Sequence, residues 1–421
     1  MEMKKYKLGE YLDSYGDGIH GTPQYDENGE YYFINGNNLK EGKIEITSNT
    51  LKISTNEYNK IKRNLYPDRT LLVSINGTLG NVALYENEKI ALGKSACFLN
   101  LKNDVCRDFL RYIFETKEFK KYMNRIAGQS TIKNVSPTQI SEYVFFAPET
   151  KNHKKIAAVL SALDDKIALN RRINAKLEQM AKRLYDYWFV QFDFPNADGK
   201  PYKSSGGKMV WNEVLKREIP YGWEVKSVKQ IIKPIERGIS YTTESIRNEN
   251  GIPMINLACY DKKGEYRTNE FKYYSGNYLD TDKAFPLEMF VACTDMTQNA
   301  DIIGRPIFAP KEYPWYVYSM DLAKIIPKSV SKIYLYYSLR TNFYHKYIKP
   351  FASGTNVKHL NIKGIERYPI LIPQNSIQDE FEKVIIKFKE KQLDILNEIK
   401  KLTNLRNKLL PLLMNGQVEV G

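Results

Sequence analysis

The chain has 421 residues, with 63 Lys plus Arg against 49 Asp plus Glu and a formal net charge of +14. That length exceeds one ordinary core and suits two domains with connectors, while the surplus of positive charge favours a polyanionic partner. Four cysteines without a C-x-x-C pair argue against a zinc knuckle or disulfide framework, no apolar run approaches the ~18–20 residues of a membrane span, and Met1-Glu2-Met3-Lys4-Lys5-Tyr6 lacks the apolar region of a signal peptide, so a cytoplasmic setting is expected.

Residues 1–150 read as a mixed α/β globule. Gly16-Asp17-Gly18-Ile19-His20-Gly21 fits G-x-G-x-x-G, but Thr22-Pro23 and a polar turn follow where a dinucleotide site needs a helix. The stretch is read as a flexible surface loop. Tyr31-Tyr32-Phe33-Ile34 stops at Asn35-Gly36, and Leu71-Leu72-Val73-Ser74-Ile75 stops at Asn76-Gly77; both have the content and punctuation of short strands. Residues 90–101 read as a further strand. Phe109, Tyr112, Ile113, Phe119 and Tyr122 stand near helical spacing and predict one helix over 107–125.

Residues 151–192 predict a first long helix. Its apolar stripe is Ile156, Val159, Leu160, Leu163, Ile167, Ile173, Leu177, Met180, Leu184 and Tyr187, in steps of three and four. Residues 193–221, rich in Pro, Gly, Ser and Lys, read as a connector. A second mixed globule covers 222–374, with a strand over 315–326 and a helix over 331–348. Residues 375–415 predict a second long helix, striped by Ile377, Phe381, Val384, Phe388, Ile395, Ile399, Leu402, Leu405, Leu409 and Leu412; 416–421 form a tail. Neither stripe is stable in water, and burying a Leu-sized side chain contributes roughly 1.5–3 kcal/mol. The helices are therefore expected to pair antiparallel; the alternative is two helices packed separately on their own domains.

The chain repeats itself. At an offset of 225 residues, 109–188 lies over 334–413 without a gap. Lys121-Tyr122 meets Lys346-Tyr347, Tyr143 meets Tyr368, Pro148 meets Pro373 and Leu184 meets Leu409. Upstream the match weakens and needs insertions: Ile34-Asn35 resembles Ile255-Asn256, Leu72-Val73-Ser74 resembles Val291-Ala292-Cys293, and Gly80 answers Gly304. Each half thus has a divergent front and a preserved rear, as one scaffold used twice. The expected fold class is α+β: two mixed α/β domains separated by two long antiparallel coiled-coil helices, with a pseudo-two-fold internal repeat.

No catalytic constellation emerges. There is no Walker A motif and no Asn-Pro-Pro-Tyr-like motif for adenine methylation. His20, His153, His345 and His359 are scattered. Glu270-Phe271-Lys272 with Asp261 upstream mimics part of a nuclease motif, at a length that arises often by accident.

The layout resembles the specificity subunit of type I restriction–modification enzymes. The stretch from Lys133-Asn134-Val135-Ser136-Pro137-Thr138-Gln139-Ile140 to Pro148 is similar to that family's end-of-domain signature. The run from Ile156-Ala157-Ala158-Val159-Leu160 to Asp164-Asp165-Lys166-Ile167 resembles its first helical signature. Tyr187-Trp188-Phe189-Val190-Gln191-Phe192 and Ile219-Pro220-Tyr221-Gly222-Trp223-Glu224-Val225 resemble the entry into its second half, and Ser74-Ile75-Asn76-Gly77-Thr78-Leu79-Gly80-Asn81 a loop of its recognition domain. The second helix departs, with Phe388-Lys389-Glu390-Lys391 in place of a Leu-x-x-Asp-Lys run.

The resemblance implies two target-recognition domains, each reading half of a bipartite, asymmetric site on double-stranded DNA, with the helical spacer setting their separation. It implies two methyltransferase subunits docked on the helices and motor-nuclease subunits in the full complex. S-adenosylmethionine, ATP and magnesium would then serve those partners, with no cofactor, metal or catalytic residue in this chain and no membrane partner. For DNA contact the divergent loops of the first half offer Thr22, Gln24, Tyr25, Asn35, Asn37, Asn38, Asn76, Thr78, Lys94, Lys133 and Asn134. The second half offers Tyr241, Thr242, Arg247, Asn256, Tyr260, Thr294, Gln298, Asn299, Lys358 and His359. Any one could instead be a loop or strand residue. Lys133 and Lys358 recur in both copies, which suits phosphate contact better than base reading. Two other readings stay open: a DNA-modifying enzyme chain with an unrecognised catalytic site, and a non-catalytic coiled-coil adaptor for proteins.

Overall fold

A computed structural model describes residues 1–128, 134–247, 250–261, 264, 266–267 and 271–420. It divides into two compact units, Met1–Leu169 with Lys400–Gly421, and Asn170–Ile399. Both cuts fall inside the long helices, Thr150–Tyr185 and Asn375–Met414, so each unit draws on both of them.

In the first unit a four-stranded antiparallel sheet has the order Leu12–Asp17, Ala96–Leu101, Thr70–Ser74, Val82–Leu84. Every residue of Thr70–Ser74 and Ala96–Leu101 is buried, as central strands covered on both faces must be. A smaller sheet sets Tyr31–Ile34 between Lys52–Ile53, antiparallel, and Ile90–Leu92, parallel. Met3–Lys7 pairs with Val144–Pro148 and ties the start of the chain to the strand that delivers it into the first long helix.

The second unit repeats this plan. Its four-stranded sheet has the order Glu236–Arg237, Leu322–Ile325, Met289–Ala292, Pro306–Phe308. Ile252–Ile255 again runs parallel to its partner, Tyr316–Tyr318, now inside a five-stranded sheet. Glu224–Ser227 pairs with Pro369–Ile372 as Met3–Lys7 pairs with Val144–Pro148. The repeat also reaches the divergent front. Gly93 N–H donates to Ile34 O at 2.8 Å, and Ser319 N–H to Ile255 O at 2.9 Å. Ile19 N–H donates to Leu92 O, and Ile239 N–H to Tyr318 O, both at 2.9 Å. Gly80 and Gly304 each donate back to the end of the preceding strand, to Ser74 O and Ala292 O, with φ of +76° and +72°, so Ser74 matches Ala292, one residue from the match read in the sequence. The left-handed backbone there is the reason for glycine.

Several sequence expectations need correction. The single helix expected over 107–125 is two, Arg107–Glu115 and Lys117–Ile126, and its counterpart is Lys332–Ser338 and Asn342–Ile348. Thr116 and Thr341, matched by the 225-residue offset, cap the second of each pair by accepting from Phe119 N–H and Tyr344 N–H. A hydroxyl that satisfies an orphan N–H favours a new helix start over helix continuation. The strands expected over 90–101 and 315–326 are likewise each two, Ile90–Leu92 with Ala96–Leu101 and Tyr316–Tyr318 with Leu322–Ile325. The Gly16–Gly21 stretch is not a loose loop throughout. Gly16 and Asp17 are the last two residues of a strand, and a Cβ on Gly18 would stand 2.2 Å from Leu92 O. The 193–221 connector is built, with Met209–Asn212 paired to Arg217–Pro220 and with Phe192, Phe194 and Ile219 buried beside Trp223.

The long helices pack antiparallel inside each unit. In the first, Ile156 and Leu160 share a core with Leu410 and Leu413, and Asp164 meets Arg406 at 3.1 Å. In the second, Tyr185 packs on Phe381 while Glu178 meets Lys389 at 2.6 Å. The expected stripe is only partly used: Ile156, Leu160 and Ile167 are buried, but Ile173, Met180 and Leu405 are exposed. Ala181, Asn170 and Gln392 take seam positions that periodicity had given to larger apolar residues.

Candidate nucleic-acid interface

The first unit gathers most of its candidate residues around one knot of loops. Ser95 is the knot: its hydroxyl donates to Asn35 Oδ1 and accepts from Gly36 N–H, both at 2.9 Å. A Cβ on Gly36 would lie 2.7 Å from Ser95 O and 2.8 Å from Ser74 Cβ, so glycine lets the two loops meet. Thr78 Oγ1 donates to Gly36 O at 3.4 Å, Val135 N–H donates to Ile75 O at 3.0 Å, and Asn76 bridges Asn134. Asn35, Asn37, Asn38, Asn76, Thr78, Lys94 and Asn134 therefore belong to one surface. Asn37, Thr78, Lys94 and Asn134 are exposed on it. Asn35 and Asn38 are half-buried and hold the loop, Asn38 by accepting from Asn35 N–H and donating to Glu45 O, each at 3.0 Å. Thr22, Gln24 and Tyr25 are exposed on the segment that follows the Ile19 bridge to Gly93, where Tyr25 sets its ring edge-on to Phe33. Lys133 lies outside the described residues, as does Glu270 of the discounted nuclease-like motif.

In the second unit the equivalent loops are Thr294–Asp295, the turn after them, and Lys358–Leu360, paired so that Thr294 faces His359 and Asp295 faces Lys358. Gln298, Asn299 and His359 are exposed there, with Lys358 half-buried. Sequence reading missed the organiser, Asp295. Its buried carboxylate accepts from Thr297 N–H and Ile302 N–H, both at 2.7 Å, and so shapes the turn that carries Gln298 and Asn299. The Asp two residues before a Thr, in the Asp295-Met296-Thr297-Gln298-Asn299 stretch, was the available signal. Met296, also missed, is 77% exposed on the same turn. Thr242, with Tyr241 half-buried beside it, and Arg247 form a second group: Lys272 Nζ stands 5.8 Å from the Tyr241 ring, and Arg247 pairs with Tyr273.

Three candidates are corrected. Asn256, Tyr260 and Thr294 are 2%, 5% and 4% exposed. Asn256 Oδ1 accepts from Ala258 N–H, and Tyr260 Oη donates to Phe290 O. Their side chains face the core, where they brace the loops that hold the exposed ones.

The described residues hold no group of three His, Cys, Asp or Glu able to bind a metal, and no helix among them is long and apolar enough to cross a membrane. Burial pushes the Cys97 thiol up to about 12 and the Cys293 thiol to about 11, which makes both poor nucleophiles.

The family described as "Type I restriction modification DNA specificity domain" matches residues 1–179 and 220–404. The chain is 28% identical over 406 residues to the type I restriction enzyme MjaIX specificity subunit of Methanocaldococcus jannaschii, covering 95% of this chain and 86% of that protein. It is 25% identical over 369 residues to the HindI specificity subunit of Haemophilus influenzae, covering 75% and 78%. The crystal structure of a type I restriction–modification S subunit from M. genitalium shares the fold, with a TM-score of 0.58 at 16% identity over 98% of this chain and 96% of that one. With the family's model laid twice along most of its length, the chain belongs to the type I restriction–modification DNA specificity family.

Proposed function

We propose that this chain is the non-catalytic DNA-reading subunit of a type I restriction–modification complex, in which each unit reads one half of a bipartite, asymmetric site on double-stranded DNA. The observation that carries the reading is a duplicated frame of backbone hydrogen bonds holding unlike polar loops. Asn37, Asn76, Thr78 and Asn134 stand in one copy, and Gln298, Asn299 and His359 in the other. Side chains of this kind hydrogen-bond base edges, while lysines such as Lys94 and Lys358 contact phosphates and make affinity salt-dependent.

The helical pair sets the distance between half-sites and docks two methyltransferase subunits, with motor-nuclease subunits joining for cleavage. S-adenosylmethionine, ATP and magnesium act on those partners. The exposed Ile173, Met180 and Tyr187 of the second unit, seven residues apart in sequence, support helix-side docking, because an apolar row of that spacing suits a partner helix.

Methylome sequencing with and without the gene tests the reading. A bipartite methylation motif should vanish with the gene. Inserting seven helical residues after Ala168 and seven after Lys400 adds about 10 Å of helix, close to three base-pair steps of ~3.4 Å. The same half-sites should then be methylated with an unread spacer about three base pairs longer; an unchanged spacer overturns the ruler.

A further inference from the structure

Each unit contains a half-buried ionic node where its globule meets the two long helices, and the two nodes have opposite polarity. In the first, Asp164 on the first helix and Glu115 in the globule face Arg406 on the second helix. Arg406 Nε lies 3.1 Å from Asp164 Oδ1, and its Nη2 contacts Glu115. Arg111 completes the group at 2.6 Å from Asp164 and 3.0 Å from Glu115, and Tyr112 Oη donates to Asp164 at 2.8 Å.

In the second, Lys389 on the second helix and Arg340 in the globule face Glu178 on the first helix, at 2.6 and 3.7 Å. Tyr337 Oη and Gln392 Nε2 point at the same carboxylate, at 3.5 and 3.3 Å. Burial disfavours the charged form of Glu178, but Lys389 and Arg340 outweigh it and hold the carboxyl below its ordinary range.

The 225-residue offset places these nodes on one another. Tyr112 falls on Tyr337, Glu115 on Arg340 and Asp164 on Lys389. Two anions in one copy are two cations in the other. The opposing residue switches as well, with Arg406 one helical turn from the position that matches Glu178.

Most of the apolar seam carries no such distinction, although Ile167 falls on Gln392 and Asn170 on Ile395. Ile156 falls on Phe381, Leu160 on Ile385, Leu177 on Leu402 and Leu184 on Leu409, so hydrophobic packing would accept two first helices, or two second helices, from different copies of the chain. The charges would not. If two second tails paired, Lys389 and Arg340 would replace Asp164 and Glu115, and Arg406 would meet two cations. If two first tails paired, Asp164 and Glu115 would replace Lys389 and Arg340, and Glu178 would meet two carboxylates that Arg111 offsets only in part. A like-charge contact in a partly desolvated setting costs more than a surface ion pair contributes.

We propose that the oppositely charged nodes at Arg406 and Glu178 act as a lock that lets the first tail pair only with the second and bars pairing of like tails between copies of this chain. The inference does not depend on what the loops read.

The full-length chain tests it by exchange of the two lock residues. In the double variant Arg406→Glu with Glu178→Arg, the second node holds three cations, and the first holds three carboxylates against Arg111. Both like-tail pairings become complementary instead: Arg at 178 meets Asp164 and Glu115 of another copy, and Glu at 406 meets Lys389 and Arg340 of another copy. Light scattering behind gel filtration should show the double variant at twice the wild-type mass, and each single variant at wild-type mass with a lowered thermal midpoint. A double variant at wild-type mass overturns the lock. If the double variant is insoluble, Glu178→Arg alone and Glu178→Arg with Lys389→Glu decide. The second change should recover most of the lost midpoint, and no recovery overturns the proposal.

Discussion

The first unit carries Asn76, Thr78 and Asn134 where the second carries Thr294, Gln298 and His359, yet the peptide hydrogen bonds behind those loops are the same. Val135 N–H donates to Ile75 O at 3.0 Å in one unit, and Leu360 N–H to Cys293 O at 2.8 Å in the other. Backbone groups bond alike whatever side chain they carry, apart from proline. A frame held by them leaves its surface free to vary. The rear segments lack that freedom, because there side chains make the contacts, and their sequences still align without a gap. Substitutions at matched positions should therefore be felt in both units, and differ only where the packing differs.

The largest effects belong to the helix seats. Ile156 and Phe381 match by the offset and both are fully buried. Phe381 packs against the rings of Tyr185, Trp188, Phe189 and Tyr337, whereas Ile156 sits in a mixed core with Leu410 and Leu413. Phe381→Ala should cost about 3–5 kcal/mol, and Ile156→Ala, in the range of about 2–5 kcal/mol, should cost less. Denaturant unfolding that ranks Ile156→Ala as the costlier change would break the view that the second seat depends more on its aromatic packing.

The matched glycines sharpen the comparison at smaller scale. Alanine at either Gly80 or Gly304 meets the left-handed penalty of about 1–2 kcal/mol. The surroundings differ: a Cβ on Gly80 finds Met123 Cγ at 3.4 Å, while one on Gly304 finds Ile348 Cγ2 at 2.9 Å and Tyr344 Oη at 3.1 Å. Gly304→Ala should be the more damaging by thermal midpoint, and equal losses would mean that Ile348 yields freely. The caps come next. Thr116→Ala and Thr341→Ala should each lose about 1 kcal/mol, and by the same amount, since both remove the same bond at the same place.

Those caps also show what sequence alone reveals. The aromatic spacing from Phe109 to Tyr122 was visible, but the break at Thr116 was not, because a threonine in a helical pattern reads as a helix residue until its hydroxyl is seen taking an N–H. The repeat, the strand ends at Asn35-Gly36 and Asn76-Gly77, and the pairing of the tails were legible, because apolar period and turn chemistry are local. Which of the loop residues stay outside was not. Thr294 and Asn256 read as surface polar residues, and only the three-dimensional closure of the loops turns them inward. Ser95 and Asp295 were hidden for the opposite reason: their importance comes from backbone N–H groups brought to them by distant or turned segments, and no spacing announces that. The ionic nodes escaped too, since Glu115 with Arg406 and Arg340 with Glu178 lie far apart in sequence and each looks like an ordinary charge on a solvated face.

The smallest effect at neutral pH, and the most selective, concerns His345, which matches the exposed Lys120 of the first unit. Burial, helped by Arg305 and Lys349 and opposed by Ile303 O and Asp295, pulls its pKa down to about 4. An unfolded chain protonates histidine near 6.5, so between about pH 6.5 and 4 the unfolded state binds the extra proton. The stability linked to this group is therefore complete above about pH 6.5 and is lost as pH falls toward 4. His345→Gln should leave the pH dependence above 7 unchanged and make the acid limb shallower between those values; Lys120→Gln, in the matching place, should alter neither. Thermal midpoints collected across that range on the two variants and the wild type read this directly. A His345→Gln curve parallel to the wild type throughout would show that the imidazole takes up its proton as readily in the folded chain as in the unfolded one. The two units would then respond to acid alike at this position despite their different residues.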